Sequence, residues 1–332
     1  MTPVEAQVTQ AEALSLPAWV RVAVVIPCYN EEHTIADTVT GFRKVLPDAA
    51  IHVYDNNSRD RTIEIARAAG AHVQSEPLQG KGNVVRRMFA DVDADIYVMI
   101  DGDNTYDAPS APRLIAKLWN EQLDMVVGSR KETAQEAYRP GHRFGNRLLT
   151  GCVASIFGNR FGDMLSGYRV FSRRFVKSFP ALSAGFETET ELTVHALQLR
   201  MPVAEVPTPY YSRPEGSVSK LSTYRDGFRI LRMIAILFKE ERPLVFFSLV
   251  ATVLGLVSVA LGTPIILEFM GTGLVPRFPT ALLAASVMLL AFLALVCGLV
   301  LDTVTRGRRE TKRLHYLQIA APGLTLNRPD RS

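Results

Sequence analysis

The stretch Ile96-Tyr97-Val98-Met99-Ile100-Asp101-Gly102-Asp103 decides the fold class of this chain. Its apolar, β-branched run predicts a buried strand that ends abruptly in two carboxylates separated by a glycine. In open α/β sheets, ligands bind just beyond the carboxyl ends of the strands. Two carboxylates at such a position suit Mg²⁺ or Mn²⁺, but Asp and Gly also form ordinary turns. The stretch alone leaves the metal site and the turn as open alternatives.

Strand and helix patterns alternate on both sides of this stretch. Short apolar runs predict strands at 22–26, 51–54, 72–74, 96–100 and 124–128. Repeated βα units of this length predict an α/β fold with a mainly parallel, doubly wound sheet. Because parallel strands end at one edge of a sheet, Asp55, the Asp101–Asp103 pair and Arg130 are expected to gather there.

The helices between these strands carry their own start signals. Asn30 is placed to cap the first helix, with Glu31 and Glu32 in its first turn, where the helix dipole favours anions. Asp60 begins the second helix, and Gly80-Lys81-Gly82 opens the third. Both kinds of signal place polar side chains next to the ends of the predicted strands.

The composition excludes several classes of protein. The chain has 332 residues, 48% of them hydrophobic, and a net charge of +4, which is typical neither of a disordered protein nor of a nucleic-acid-binding arm. Its three scattered cysteines predict a reducing compartment without a disulfide framework or a cysteine-based zinc site. Residues 1–20 lack the features of a signal peptide and are predicted to form a flexible tail.

Two long apolar stretches near the C-terminus predict a transmembrane hairpin within residues 243–303. The helices are expected at about 244–269 and 280–301, each long enough to cross a bilayer. Basic residues flank the hairpin on its outer sides, so the positive-inside rule places both flanks in the cytoplasm. The sequence therefore predicts a multi-pass protein of the cytoplasmic membrane, with its remaining domain at residues 21–220 in the cytoplasm and a basic tail at 304–332.

Amphipathic patterns at about 141–161 and 221–242 combine apolar residues at helical spacing with interspersed arginines. One interpretation is a pair of helices that face the core of the globular domain. The other is a pair of helices that lie in the membrane interface, which the neighbouring hairpin favours. The lipid bilayer is therefore an expected partner.

Seven motifs follow one another along the chain, at Ile26–Glu32, Asp55–Asp60, Gly80–Asn83, Asp101–Asp103, Gly128–Arg130, Asp163–Arg169 and Arg213–Leu221. Together with the membrane hairpin that follows them, they resemble one enzyme family over about residues 21–310. The chain is similar to family 2 glycosyltransferases with the GT-A (Rossmann-like) fold, of the dolichyl-phosphate-mannose synthase type. It is most similar to bacterial polyprenyl-phosphate glycosyltransferases that have two C-terminal transmembrane helices.

The resemblance implies a site for a nucleotide-sugar donor. The residues that it assigns to the donor are Pro27, Tyr29, Asn30, Glu31, Asp55, Lys81, Asp101 and Gly102. Glu31 also has a purely structural explanation in the helix dipole, and Lys81 has one as a loop lysine. Asn56 departs from the Asp-Asp pair that is commoner in the family, which leaves the contacts with the base unspecified.

The resemblance also implies that Asp101 and Asp103 bind Mg²⁺ or Mn²⁺, which bridges the donor diphosphate. Many relatives carry a glutamine at the position of Thr105, so the third protein ligand is left open. Four basic residues are assigned to the phosphate of an acceptor lipid, because guanidinium groups match phosphate oxygens. They are Arg130, Arg143, Arg213 and Lys220.

Asp163 and Glu191 are the candidate catalytic carboxylates near the sugar, with Glu189 as the second choice in its segment. A hydroxyl acceptor would require a general base, whereas a phosphate acceptor is already anionic at neutral pH. These carboxylates are therefore candidates for two roles, as a base or as groups that orient the substrates.

The expected reaction is the inverting transfer of a hexose, as from UDP-glucose, to undecaprenyl phosphate. Two other functions compete with it. A processive polysaccharide synthase is disfavoured because Trp19 and Trp119 do not lie in the Gln-x-x-Arg-Trp stretch of those enzymes. A non-catalytic scaffold that binds nucleotide-sugars is disfavoured by the intact motifs. Nucleic acid is not an expected partner, whereas a second copy of the chain is one, since relatives with this hairpin often assemble through it.

Overall fold

The computed structural model describes residues 16–132, 151, 162–181, 188–211, 232 and 235–323. These residues divide into two compact units. The first contains the described residues up to 211 together with 312–323, and the second contains those from 232 to 311.

The first unit is built on a seven-stranded sheet with the strand order β3-β2-β1-β4-β6-β5-β7. Its strands are β1 Val22–Cys28, β2 Ala50–Asp55, β3 His72–Ser75, β4 Ile96–Met99, β5 Met125–Glu132, β6 Arg169–Ser172 and β7 Val203–Tyr210. Every pairing is parallel except the two made by β6. The predicted mainly parallel sheet is confirmed, and the reversed strand β6 was not anticipated.

The helices of this unit form two groups, as expected for a sheet that is covered on both faces. Their bounds are α1 Ile35–Val45, α2 Thr62–Ala68, α3 Lys81–Asp91, α4 Ala111–Asn120, α5 Arg173–Ser178 and α6 Thr188–Gln198, with a 3₁₀ turn at Ala108–Ser110. Helix α1 contacts both α2 and α4, whereas α3 contacts α5 and α6. Val24 and Val98 on the central strands are fully buried, which explains their continuous apolar sequence.

One local prediction, the start of the first helix, is wrong. Helix α1 begins at Ile35 rather than after Asn30, so Glu31 and Glu32 precede its first turn. Asn30 has a left-handed backbone, with φ 51°, and the loop that follows β1 therefore turns before the helix starts. Trp19, within the tail predicted at 1–20, packs edge-on against Trp119 at 5.8 Å between ring centroids.

The second unit contains two helices that are long and apolar enough to span a membrane, α7 Pro243–Thr272 and most of α8 Phe278–Leu317. Large side chains such as Leu256 and Leu267 are more than half exposed, which is unlike the core helix of a soluble domain. The helices meet where the Ser258 hydroxyl donates to the carbonyl of Ala284 at 2.7 Å. Helix α8 continues to Leu317, so part of the predicted basic tail is helical.

The interfacial helices were predicted at 141–161 and 221–242, and most of these residues lie outside the described part of the chain. The same holds for residues 1–15 of the tail. Residues 235–241 are helical.

His195 on α6 makes the stability of the first unit sensitive to acid. Burial, together with a smaller effect of the nearby Lys312 charge, lowers its pKa from 6.5 to about 3. Below pH 6.5, His195 therefore binds a proton in the unfolded chain but stays neutral in the folded chain. The free energy of unfolding consequently decreases as the pH falls from 6.5 towards 3. His195→Gln keeps a partner for the Ser178 hydroxyl, which lies 3.2 Å from Nε2, but removes the titrating group.

We expect the thermal midpoint of the wild type to fall more steeply than that of His195→Gln between pH 6.5 and 5. The difference corresponds to roughly 2 kcal/mol, or about 4–8 °C. His315→Gln, at an exposed histidine, provides the matched control for the loss of one histidine. Parallel curves for the wild type and His195→Gln would contradict the assignment.

Candidate active site

Asp55 ends β2 beside Cys28 of β1 and presents a buried carboxylate at the edge of the sheet. The side chain is 2% exposed. Its Oδ2 accepts the Ser58 N–H at 3.1 Å, whereas its Oδ1 has no hydrogen-bond partner among the described residues. A buried acceptor without a donor is costly. Asp55 Oδ1 is therefore suited to receive an N–H from a ligand such as a nucleobase.

The loops after β1 and β2 are joined around this carboxylate. The Asn30 N–H donates to Ser58 Oγ, and the Arg59 N–H donates to Asn30 Oδ1, both at 2.8 Å. The Glu31 N–H donates to the Thr62 hydroxyl at 2.8 Å. Asn30 and Glu31 thus shape one wall of the candidate donor site.

Pro27 and Tyr29 also belong to the predicted donor site. Pro27 lies in β1 opposite Tyr54 of β2, and Tyr29 follows the end of β1. The first part of the predicted donor set is therefore at the carboxyl edge of two adjacent strands. Their contact with a donor stays a prediction.

The hydrogen bonds of Asn56 explain why an asparagine stands where the family more often has an aspartate. Its amide donates to the carbonyls of Glu76 and Leu78 at 2.9 and 2.8 Å, and its Oδ1 accepts the Gly80 N–H at 2.7 Å. An aspartate could not donate to the two carbonyls. Asn56 therefore fastens the loop that leads into Lys81, at the start of α3.

The Asp101-Gly102-Asp103 stretch follows β4 and packs closely against the loop after β1. A Cβ on Gly102 would lie 2.6 Å from the Cys28 sulfur, so only glycine fits. The Gly102 carbonyl accepts the Thr34 hydroxyl at 2.8 Å. The backbone between the two carboxylates is therefore fixed from outside the stretch.

Asp103 is almost fully buried, and the hydroxyl of Thr105 donates to its Oδ1 at 2.6 Å. Thr105 therefore orients Asp103. In the described ranges, no group of three or more His, Cys, Asp or Glu side chains is arranged to hold a metal ion. Asp101 and Asp103 alone would leave most positions of a Mg²⁺ or Mn²⁺ ion to waters and substrate phosphates, which is how such ions usually bind.

Lys81 joins Asp101 to Glu189, which was predicted only as the second choice in its segment. Its Nζ lies 2.5 Å from Asp101 Oδ1 and 2.5 Å from Glu189 Oε1. Burial opposes the lysine charge, but the two carboxylates outweigh burial and raise the pKa of Lys81. Glu191 lies two positions further along α6, about 200° around the helix. Glu189 is thus the glutamate that contacts Lys81, and the role of Glu191 stays a prediction.

Asp163 and Arg130 were predicted for different tasks, but they form one bidentate pair. Arg130 Nε and Nη2 donate to the two oxygens of Asp163 at 2.7 and 2.8 Å. Burial alone would raise the pKa of Asp163, but the hydrogen bonds and charge of Arg130 prevail and lower it below 3.8. Asp163 is therefore ionised at neutral pH and is a weak base.

Two tyrosines connect this pair to the metal-binding candidates. The Arg130 guanidinium lies 5.5 Å from the centre of the Tyr210 ring, which packs against Tyr106. The Gly167 N–H donates to the Tyr106 hydroxyl at 2.8 Å, and a side chain on Gly167 would collide with the Asp101 carboxylate. The site is therefore continuous from Lys81 to Asp163.

Arg169 and Glu205 support the site without having been predicted for it. Arg169 is fully buried and donates to the carbonyls of Ser166 and Met164. Glu205 accepts the N–H groups of Gly162 and Asp163 at 2.8 and 2.9 Å. Arg169 stood inside a family motif, but Glu205 had no local sequence signal.

The predicted acceptor residues Arg143, Arg213 and Lys220 lie outside the described residues. Of that set, Arg130 alone is described. Whether the other three approach the site therefore stays a prediction.

Residues 23–178 match the family model described as Glycosyl transferase family 2. The chain is similar to the glycosyltransferase AglJ of Haloferax volcanii, with 38% identity over 246 residues that cover 71% of this chain and 79% of that protein. It is also similar to the dolichyl-phosphate hexose transferase of Haloferax volcanii, with 29% identity over 220 residues, 66% of this chain and 95% of that protein.

A solved structure is similar to the same part of the chain. It is glucosyl-3-phosphoglycerate synthase from Mycobacterium tuberculosis in complex with Mn²⁺, UDP-glucose and phosphoglyceric acid. The TM-score is 0.55 at 25% identity, over 67% of this chain and 80% of that one.

Proposed function

We propose a donor and an acceptor for this chain on the premise that it belongs to glycosyl transferase family 2 and transfers a sugar from a nucleotide-sugar. The donor is a UDP-hexose such as UDP-glucose, and the acceptor is a polyprenyl phosphate such as undecaprenyl phosphate. The product is a polyprenyl-phosphate-linked monosaccharide that serves in cell-envelope glycan modification.

In the proposed reaction, an oxygen of the lipid phosphate attacks the anomeric carbon of the donor sugar. A new bond joins that oxygen to the anomeric carbon while the bond to the β-phosphate of the nucleotide breaks. The nucleoside diphosphate leaves with the electron pair, and in-line displacement inverts the anomeric configuration. No proton has to be removed, because the phosphate is already anionic at neutral pH.

Donor recognition is assigned to the β1–β4 edge of the sheet. Asp55 Oδ1 accepts an N–H of the base, which gives a partner to its otherwise unpaired buried oxygen. Lys81 contacts the diphosphate from the start of α3. Asp101 and Asp103 hold Mg²⁺ or Mn²⁺, which supplies Lewis-acid stabilisation of the diphosphate when bound.

Acceptor recognition is assigned to Arg130, with Arg143, Arg213 and Lys220 as further phosphate ligands. Arg130 is held by Asp163 and Tyr210 at the far end of the site. Because the pKa of Asp163 is lowered, this carboxylate fits a role in orienting Arg130 or the sugar better than a role as a base. The similarity to a dolichyl-phosphate hexose transferase supports a lipid-phosphate acceptor.

The two apolar helices support a location in the cytoplasmic membrane. We assign α7 and α8 to a hairpin that crosses the bilayer, with the catalytic domain on the cytoplasmic side, where the positive-inside rule places the basic end of α8. A lipid phosphate then reaches the site without leaving its leaflet. Self-association through the hairpin stays a prediction.

One observation carries this proposal: the Asp101–Asp103 stretch and the Arg130–Asp163 pair are joined through Gly167, Tyr106 and Tyr210. A site for a donor diphosphate and a site for a second phosphate are thereby adjacent. This arrangement fits transfer between two phosphate-bearing substrates.

The test is to incubate the purified full-length protein in detergent with Mn²⁺, a panel of nucleotide-sugars and undecaprenyl phosphate. We expect mass spectrometry to detect undecaprenyl phosphate carrying one hexose, formed from UDP-hexose. Undecaprenol, which lacks the phosphate, is the matched control and should give no product.

Three results would overturn the proposal. Transfer to 3-phosphoglycerate in place of the lipid would identify a soluble phosphate acceptor. A polymeric product would favour a processive synthase, and donor binding without turnover would favour a scaffold.

A further inference from the structure

Lys81 and Glu189 form a buried contact at the proposed metal site that the catalytic scheme does not require. The exposed fraction of the side chain is 12% for Lys81, 8% for Glu189 and 30% for Asp101. The open end of the cluster is therefore the metal-binding candidate Asp101, and the closed end is Glu189.

Glu189 depends on Lys81 for its stability at this position. A buried carboxylate is strongly unfavourable unless an opposite charge compensates it. The charge of the neighbouring cation Arg169 also attracts Glu189, but Arg169 donates its hydrogen bond to the Thr193 hydroxyl, which in turn donates to the Glu189 carbonyl at 3.0 Å. The Lys81 ammonium is the group that contacts the Glu189 carboxylate directly.

The ammonium of Lys81 is also placed where a second cation would compete with it. Lys81 and a divalent ion on Asp101 would both be within a few ångströms of one carboxylate oxygen, and like charges at that distance repel. An ammonium has three N–H groups, of which two are used by Asp101 and Glu189 in the described structure. The third is available to a phosphate oxygen.

We propose that Glu189 is a positioning residue that retains Lys81 while an arriving divalent cation displaces the ammonium from Asp101. Lys81 neutralises Asp101 when the site holds no metal. When metal and donor bind together, Glu189 keeps the ammonium within reach of the diphosphate. The inference rests on the proposed function, since it takes Asp101 as a metal ligand.

The test measures Mn²⁺ affinity of the full-length protein by titration calorimetry, with and without UDP. Without UDP, Lys81→Met should bind Mn²⁺ about tenfold more tightly than the wild type, because nothing has to be displaced from Asp101. Glu189→Gln should bind Mn²⁺ several-fold more weakly, because Lys81 then pairs with Asp101 alone. With UDP, Lys81→Met should lose affinity for the nucleotide.

The double variant Lys81→Met/Glu189→Gln distinguishes an action of Glu189 through Lys81 from a simple effect of net charge. If Glu189 acts through Lys81, Glu189→Gln should have little effect on Mn²⁺ affinity in the Lys81→Met background. Equal effects in both backgrounds, or shifts of the two single variants in one direction, would overturn the inference and leave the proposed function intact. Failure of the wild type to bind Mn²⁺ even with UDP would instead overturn the metal assignment itself, and this inference with it.

Discussion

Asp103→Asn is expected to lower sugar transfer by at least about 10³-fold while leaving the protein folded. The substitution removes one of two carboxylates proposed to hold the metal, and with it several kcal/mol of stabilisation of the leaving diphosphate. The fold should survive because an asparagine oxygen can still accept the Thr105 hydroxyl, which lies 2.6 Å from Asp103 Oδ1. Transfer is measured as the rate of hexosyl-lipid formation, and folding by the thermal midpoint.

Asp48→Asn provides the matched control, because Asp48 is exposed on a turn and loses the same charge. We expect it to transfer at the wild-type rate. A chelator should reproduce the Asp103→Asn defect in the wild type, and added Mn²⁺ should reverse it. Near-normal sugar transfer by Asp103→Asn, or wild-type transfer that is unaffected by the chelator, would rule out the assignment of Asp101 and Asp103 as metal ligands.

Arg169→Met is expected to destabilise the first unit by about 3–5 kcal/mol, the range for the loss of a buried charged partner. The guanidinium is fully buried and connects the segment before β6 to Thr193 of α6, with a donor–acceptor distance of 2.9 Å to the Thr193 hydroxyl. Burial lowers the pKa of Arg169 to about 10, so the group is still charged at neutral pH. Its removal leaves the carbonyls of Ser166 and Met164 without a donor.

The measurement is the thermal midpoint in detergent, compared with Arg67→Met on the exposed surface of α2. The control should lie within about 0.5 kcal/mol of the wild type. Arg169→Lys should recover only part of the loss, because an ammonium lacks the planar fork that reaches several acceptors. A wild-type midpoint for Arg169→Met would show that the loop around Asp163 does not depend on this charge.

Local sequence predicted the parallel core and most of its helices correctly. Gly80-Lys81-Gly82 does open a helix, which runs from Lys81 to Asp91, and the apolar run before Asp101 is a fully buried strand. These features follow from periodicity and glycine chemistry within a few residues. The start of α1 was misplaced because Asn30 binds the loop after β2 rather than the helix, and that loop is distant in sequence.

The sequence by itself determined the family, the α/β fold, the two apolar helices and the presence of a carboxylate pair after β4, because each depends on residue type and local spacing. Only the tertiary structure decided which basic residue pairs with each carboxylate of the candidate site. Lys81 meets Glu189 across 108 positions and Arg130 meets Asp163 across 33, so neither pair leaves a periodic signal. The physical reason is that desolvation makes an unpaired buried charge costly, so each buried charge must lie beside an opposite charge in space, whatever their separation in sequence.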